Sequence, residues 1–167
     1  MPGEHSRAER VAAAEADLAA RKTIPEILRA LCRHLVDVLD VSASIVSRIV
    51  GEMLVELAAY SKADVNLKQL GHGYLIADYP LTHEVLEHGT PEAVSLDDPD
   101  VDPAEARLLR ELGFERLLML SLPVEGRPWA LVELYCFGGT DFNDEHARMA
   151  TSLAVAAGAA IEHAGAA

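Results

Sequence analysis

A chain of 167 residues, half of them hydrophobic, is long enough for one substantial core and too short for two. Its formal charge of -13 sets 27 acidic residues against 14 Lys and Arg scattered along the chain. That balance excludes nucleic acid and anionic lipid as partners, because phosphate binding needs a basic surface.

The N-terminus, MPGEHSRAER, has no apolar core of the kind a secretion signal needs, and the longest apolar run, Leu153 to Ile161, is too short and alanine-rich to cross a bilayer. Two cysteines, Cys32 and Cys136, sit far apart inside apolar patterns. They read as reduced core thiols, which fits a cytoplasmic protein better than a disulfide framework or a CxxC metal site.

From Ser6 to Lys22, Val11, Ala14 and Leu18 recur at three- and four-residue spacing, predicting a helix whose narrow stripe could pair with a partner helix. Residues 1–22 are therefore expected to be a helical extension, and 23–167 one domain. Thr23-x-x-Glu26 is a capping box with Pro25 tolerated in the first turn. It opens a second helix whose core face is Ile24, Ile27, Leu28, Leu31, Leu35 and Val38.

ASIVSRIV and MLVELAAYS, joined by Gly51-Glu52, predict a hairpin with a type II′ turn. Residues 61 to 73 show no period and are expected to form a loop. A short strand at Tyr74 to Tyr79, a helix from Asp78-Tyr79-Pro80 to Gly89 and a brief strand at Glu92 to Leu96 follow. Asp102-Pro103-Ala104-Glu105 then starts a helix, with Asp as N-cap, Pro at the first position and Glu at the third. Gly113 ends it, and Phe114 can fold back on Leu109.

Arg116 to Phe137 holds two nearly continuous apolar runs broken at Pro123 to Pro128, with Glu125-Gly126 between them. This is a central hairpin, and strands apolar on both faces must be covered on both faces. Asn143 caps a last helix, apolar nearly all round from Ala150 to Ile161 but built mainly of Ala and Gly. Such a helix is approached closely, by the sheet on one side and by a second subunit on the other. The fold class is α+β: a mainly antiparallel sheet of five to six strands, with the terminal helices on one face and short helices and loops on the other.

This order, with Asp78-Tyr79-Pro80-Leu81-Thr82, Leu108 to Gly113 leading into Leu117 to Pro123, Gly126 to Tyr135, and Phe142-Asn143-Asp144-Glu145, resembles the GAF domain family of small-molecule sensor modules. The resemblance covers roughly Ile24 to Ala164. It implies a non-enzymatic sensory or regulatory domain, homodimeric through its terminal helices, with an unidentified small molecule held between the sheet and the segment 61 to 105. A dimerisation or interaction module with a vestigial pocket is the alternative. No kinase, cyclase or helix-turn-helix segment accompanies the domain, so the chain reads as a stand-alone regulator or an excised piece.

The cofactor is not named by the sequence. Bilin-binding relatives attach the pigment through a cysteine near the inner helix; with no Cys between 33 and 135, a covalent bilin is excluded, and the sulfoxide-reducing members, which need several, are disfavoured. The cyclic-nucleotide signature is not reproduced at its usual spacing. Haem or metal at His72, His83 and His88 is disfavoured, since a five-residue spacing does not stack two imidazoles on one helical face. Asp98, Asp100 and Asp102 mimic a calcium loop, but Pro103 replaces the required Gly and Leu109 the bidentate Glu. No triad, HExxH or phosphate-loop motif appears. The candidate ligand-binding residues are polar groups set among apolar ones: His72, Tyr74, Tyr79, His83, Arg116, Glu133 and Tyr135. Core packing for Tyr135, and a cross-sheet pair of Glu133 with Arg116 or Arg48, is the competing expectation. Trp129 is expected to pack.

Overall fold

The two apolar runs pair with each other as predicted. β5 (Arg116–Val124) and β6 (Arg127–Cys136) are antiparallel from Arg116 opposite Cys136 to Val124 opposite Arg127. Glu125 and Gly126 between them both take positive φ, 54° and 74°. This is the type I′ arrangement, whose twist matches that of the flanking strands. Glu125 enters the left-handed region without glycine's freedom, and its N–H donates to the Glu162 carboxylate on the last helix.

The computed structural model describes residues 2–62, 73–139 and 141–165, with side chains from Arg7 onward. β1 (Ala43–Val50), β2 (Met53–Ser61), β3 (Gly73–Leu75) and β4 (Glu92–Ser95) complete a six-stranded sheet of order β3-β2-β1-β6-β5-β4, antiparallel throughout. The central hairpin thus lies between strands on both sides. Gly51 at φ 61° turns β1 into β2. The expected strand at 74–79 is shorter: after Leu75, the Ile76 N–H bonds Glu52 and a single 3-10 turn, Ile76–Asp78, leads to Pro80. The expected loop at 61–73 falls mostly on 63–72, which lie outside the described residues.

Side chains alternate across the sheet with the pleat. Val132, Leu134, Leu118, Leu120 and Leu122 face one way, into a core shared with α1 (Pro2–Ala20), α2 (Ile24–Leu39) and α5 (Asp144–Gly165). Leu131, Tyr135, Leu117, Met119 and Ile45 face the other, into a second core under α3 (Pro80–His88) and α4 (Pro103–Leu112). The ends of the helices follow the sequence signals. Thr23 Oγ1 accepts from the Glu26 N–H, Asp102 Oδ2 accepts from the Glu105 N–H, and Gly89 and Gly113 close their helices at positive φ. The Phe114 N–H returns to the Leu109 carbonyl, as a Schellman end requires.

The terminal helices pack on one another within the chain. The apolar stripe on α1 is buried against its own chain: Ala14 and Leu18 are fully covered in the core formed with α2 and α5. Asp17 fastens that contact, accepting from Arg21 and pairing with His34 Nε2 at 2.7 Å on α2. The His34 bond holds the Asp17 carboxyl below its usual value. α5 packs on β5, α1 and α2, and keeps Thr151, Ser152, Val155 and Ala159 exposed along its outer side. The small residues serve the sheet contact. Gly158 lies so close to the Pro123 carbonyl at the end of β5 that a Cβ there would overlap it.

Gly158→Ala should therefore destabilise the fold by about 1–3 kcal/mol through overpacking, although Ala is the better helix former by roughly 1 kcal/mol. Urea unfolding monitored by circular dichroism checks this, and unchanged or increased stability contradicts it.

Candidate functional site

β6 carries the site because its inward positions are not all apolar. Glu133 lies in the ladder between Ile45 on β1 and Met119 on β5, and Tyr135, two residues on, lies between Ala43 and Leu117. Both point toward α3 and α4, and both are buried, Glu133 at 8% exposure and Tyr135 at 1%. The Tyr135 hydroxyl donates to Glu133 Oε2 at 2.6 Å. Burial pushes the Glu133 carboxyl up to about 8; the Tyr135 hydrogen bond opposes this, and the charges of Glu105 and Glu56 add to it. Tyr135 is raised well above its ordinary value, first by burial and then by Glu133.

A second buried carboxyl approaches from the helical side. Glu105 has the sequence position of a capping residue, and its N–H is indeed capped by Asp102, but its side chain turns inward and is 1% exposed. Thr82 Oγ1, from α3, donates to Glu105 Oε1 at 2.7 Å. Glu105 Oε2 is buried with no hydrogen-bond partner. Burial raises this carboxyl too, with Thr82 pulling the other way.

Between these groups is a cavity of about 20 Å³, lined by Ile45, Leu54, Glu56, Tyr74, Tyr79, Thr82, Leu108, Leu112, Leu131, Glu133 and Tyr135. That is room for about one water molecule. The recess around it, open solvent at its mouth included, amounts to about 350 Å³. Tyr74 and Tyr79 meet edge to face at 5.9 Å on its rim. Tyr74 is pushed up to about 12 by burial and then by the negative charges of Glu56 and Glu133, and Tyr79 is raised by burial and then by Glu105 and Glu111. The phenols on the cavity keep their protons.

Of the seven residues singled out from the sequence, Tyr74, Tyr79, Glu133 and Tyr135 come together on this cavity. Arg116 does not. Its guanidinium, at the far end of β5, donates to Ser95 Oγ at 2.6 Å, Asp97 Oδ2 at 2.8 Å and the Gly139 carbonyl at 3.3 Å, and pairs with Asp141 at 3.0 Å. It is a clamp on two loops. His83 lies on the outer side of α3, 59% exposed beside Glu87, because the helix turns Thr82, Val85 and Leu86 inward. His72 lies outside the described residues. Neither arginine expected for Glu133 reaches it: Arg48 bonds the carbonyls of Ile49 and Trp129 and stacks over the Trp129 ring at 4.4 Å. Glu56, Thr82 and Glu105 were missed. Thr82 stood inside the motif at 78–82, and Glu105 was disguised by its capping role.

Among the described residues, no three His, Cys, Asp or Glu side chains gather as a metal site would require. Asp98 Oδ1 is used by the Asp100 N–H, and Asp102 by its helix. Cys32 and Cys136 belong to the core on the opposite face of the sheet, and burial pushes the Cys32 thiol up to about 12, leaving it unreactive.

The raised carboxyl has a sign. With its folded value near 8 and its ordinary value at 4.5, Glu133 stabilises the fold most at low pH and loses that contribution as pH rises through this window. Unfolding free energy should fall between pH 5 and 8 by up to about 1.4 kcal/mol per pH unit from this group, and Glu133→Gln should flatten the profile. Parallel slopes for the two proteins in chemical denaturation across that range would contradict the assignment.

The sequence model of the GAF domain matches residues 21–162. No curated protein matches the chain in sequence. Among solved structures, the chain is similar to the chromophore-binding domain of an unusual bacteriophytochrome from R. palustris, at TM-score 0.85 and 10% identity, over 98% of this chain and 62% of that one. It is similar to the GAF domain of a phosphoenolpyruvate-protein phosphotransferase from Coxiella burnetii, at TM-score 0.78 and 18% identity, over 98% and 97%. It is also similar to the phycoerythrobilin-bound GAF domain of a cyanobacterial phytochrome, at TM-score 0.78 and 13% identity, over 93% and 99%. The chain spans about three fifths of the bacteriophytochrome chromophore-binding domains it matches. At these identities the likeness is one of fold. With the family model covering most of its length, the chain belongs to the GAF domain family.

Proposed function

We propose that this protein is a non-enzymatic sensory or regulatory domain that binds a small molecule at the cavity between the sheet and α3–α4. One observation carries the reading: an inward-facing glutamate and tyrosine sit on β6 among the buried Ala130, Leu131, Val132 and Leu134, where a purely structural core would have Leu or Val. Keeping Glu133 buried costs stability at neutral pH, and a role in recognition accounts for that cost. Binding is favoured over chemistry because, among the described residues, the side chains lining the cavity include no Ser, Cys, Lys or His set against the carboxyls as a nucleophile–base pair. A related fold holds phycoerythrobilin in the cyanobacterial protein. In this chain both cysteines belong to the opposite core, so a non-covalent ligand fits better.

The route outward is β6 itself. Glu133 and Tyr135 face the cavity, while Val132 and Leu134, alternating with them, pack into the core shared with α1, α2 and α5. A ligand that moves β6 by a fraction of an ångström shifts the seat of the terminal helices, and a homodimer joined through those helices would read this as a change in helix geometry. Two free thiols and the absence, among the described residues, of a helix able to cross a membrane fit a cytoplasmic setting.

The small volume of the cavity favours a second reading, an interaction module whose pocket is vestigial. Native mass spectrometry of protein purified from cells separates the two. The sensor reading expects a retained small molecule that dissociates on denaturation, or a thermal shift of several degrees against a metabolite library. Bare polypeptide masses, a tight dimer and no shift from any compound would favour the interaction module instead.

A further inference from the structure

Two of the hydroxyl hydrogens around the cavity are already committed. Tyr135 donates to Glu133, and Thr82 donates to Glu105. Each hydroxyl therefore turns lone pairs, and no hydrogen, toward whatever enters. Neither Glu133 nor Glu105 has an ion-pair partner among the described residues, and Glu105 Oε2, buried just behind Thr82, has no hydrogen bond at all. Acceptor oxygens placed in this way suit a group that donates.

We propose that the cavity takes the primary ammonium end of an organic amine, with Glu133 as its counter-ion and the oxygens of Thr82 and Tyr135 as its remaining acceptors. This rests on the small-molecule reading above and names the ligand class for the same site. An alkylammonium has three donors and no acceptor, matching these oxygens, and its head is about the size of the single water that about 20 Å³ will hold. Tyr74 and Tyr79 border the same space, and aromatic rings attract cations. The amine's carbon chain would lie against the apolar lining, Ile45, Leu54, Leu108, Leu112 and Leu131. Among the described residues the lining holds no Lys, Arg or His to pair with an anionic ligand.

Proton balance follows from the burial of Glu133. The empty site holds this carboxyl neutral at pH 7, so binding converts a carboxylic acid and an ammonium ion into an ion pair and releases one proton to the buffer. Among the described residues, the groups that face Glu133 are Tyr135 on its own strand, Glu56 from β2, Tyr74 from β3 and Glu105 from α4; α3 contributes the uncharged Thr82. None of these groups is a cation, so an ammonium would supply Glu133 with its counter-ion.

Isothermal titration of the full chain at pH 7 with n-butylammonium, 1-butanol and butanoate tests this. The ammonium should bind at least about tenfold more tightly than either isostere, as a charge-assisted hydrogen bond to a buried carboxylate implies. Its heat should differ between phosphate and Tris buffers by the amount expected for release of about one proton. Glu133→Gln should abolish the preference, and Thr82→Val, which keeps the shape of the side chain, should weaken it severalfold. Tighter binding of butanol or butanoate, or an ammonium heat independent of buffer, overturns the ammonium assignment while leaving a small-molecule site standing. No heat from any probe, together with bare polypeptide masses from cells, overturns both.

Discussion

Everything in this structure depends on a hairpin covered on both faces. β5 and β6 occupy the middle of the sheet, with α1, α2 and α5 over one face and α3 and α4 over the other. From Arg116 to Leu120 and from Ala130 to Tyr135 both faces are covered, so each side chain there must be apolar or find a partner in the interior. Glu133 is where this condition bites. It cannot turn away without disrupting the pleat, so it accepts from Tyr135 and holds its proton into the neutral range.

The two faces divide the labour. The helical face is dry, closely packed and rich in small residues, down to the glycine on α5 that touches the turn end of β5. On the other face, the shorter α3 and α4 cover the sheet less completely and bring Thr82 and Glu105 up to the polar pair on β6. Away from both, Arg116 ties the loop after β4 to the loop after β6 and holds the end of the hairpin in place. In this way one strand is stiffly mounted on its helical side and polar on its cavity side, which is the arrangement a binding event needs if it is to be felt elsewhere.

What the sequence disclosed was local. The turn at Glu125-Gly126, the caps at Thr23 and Asp102, the left-handed ends at Gly89 and Gly113 and the unbroken apolar runs each depend on residues a few positions apart, and each is found in the structure. That Glu133 and Tyr135 share a face also follows from strand period; their hydrogen bond, in place of a pair with Arg48 or Arg116, does not. What stayed hidden was long-range or ambiguous. Glu105 satisfies a helix-cap pattern whether its side chain faces water or the core, and only the packing of α4 against α3 decides. The stripe on α1 fits a neighbouring chain and its own α2 and α5 equally well. Arg116 looked like a pocket residue because nothing nearby in sequence shows that residues 95–97 and 139–141 converge on it. His83 misses the cavity because the helical period turns its neighbour Thr82 inward instead.

The central claim is that a carboxyl group in the middle of a doubly covered sheet is kept neutral at physiological pH. Carbon-13 NMR of the glutamate side-chain carboxyls, with Glu133 assigned by its loss in Glu133→Gln, reads that proton directly. The account predicts a titration midpoint near 8 for this residue. A midpoint at the ordinary glutamate value, about 4.3, would mean that Glu133 is solvated and that the covered hairpin, and the site built on it, are not as described.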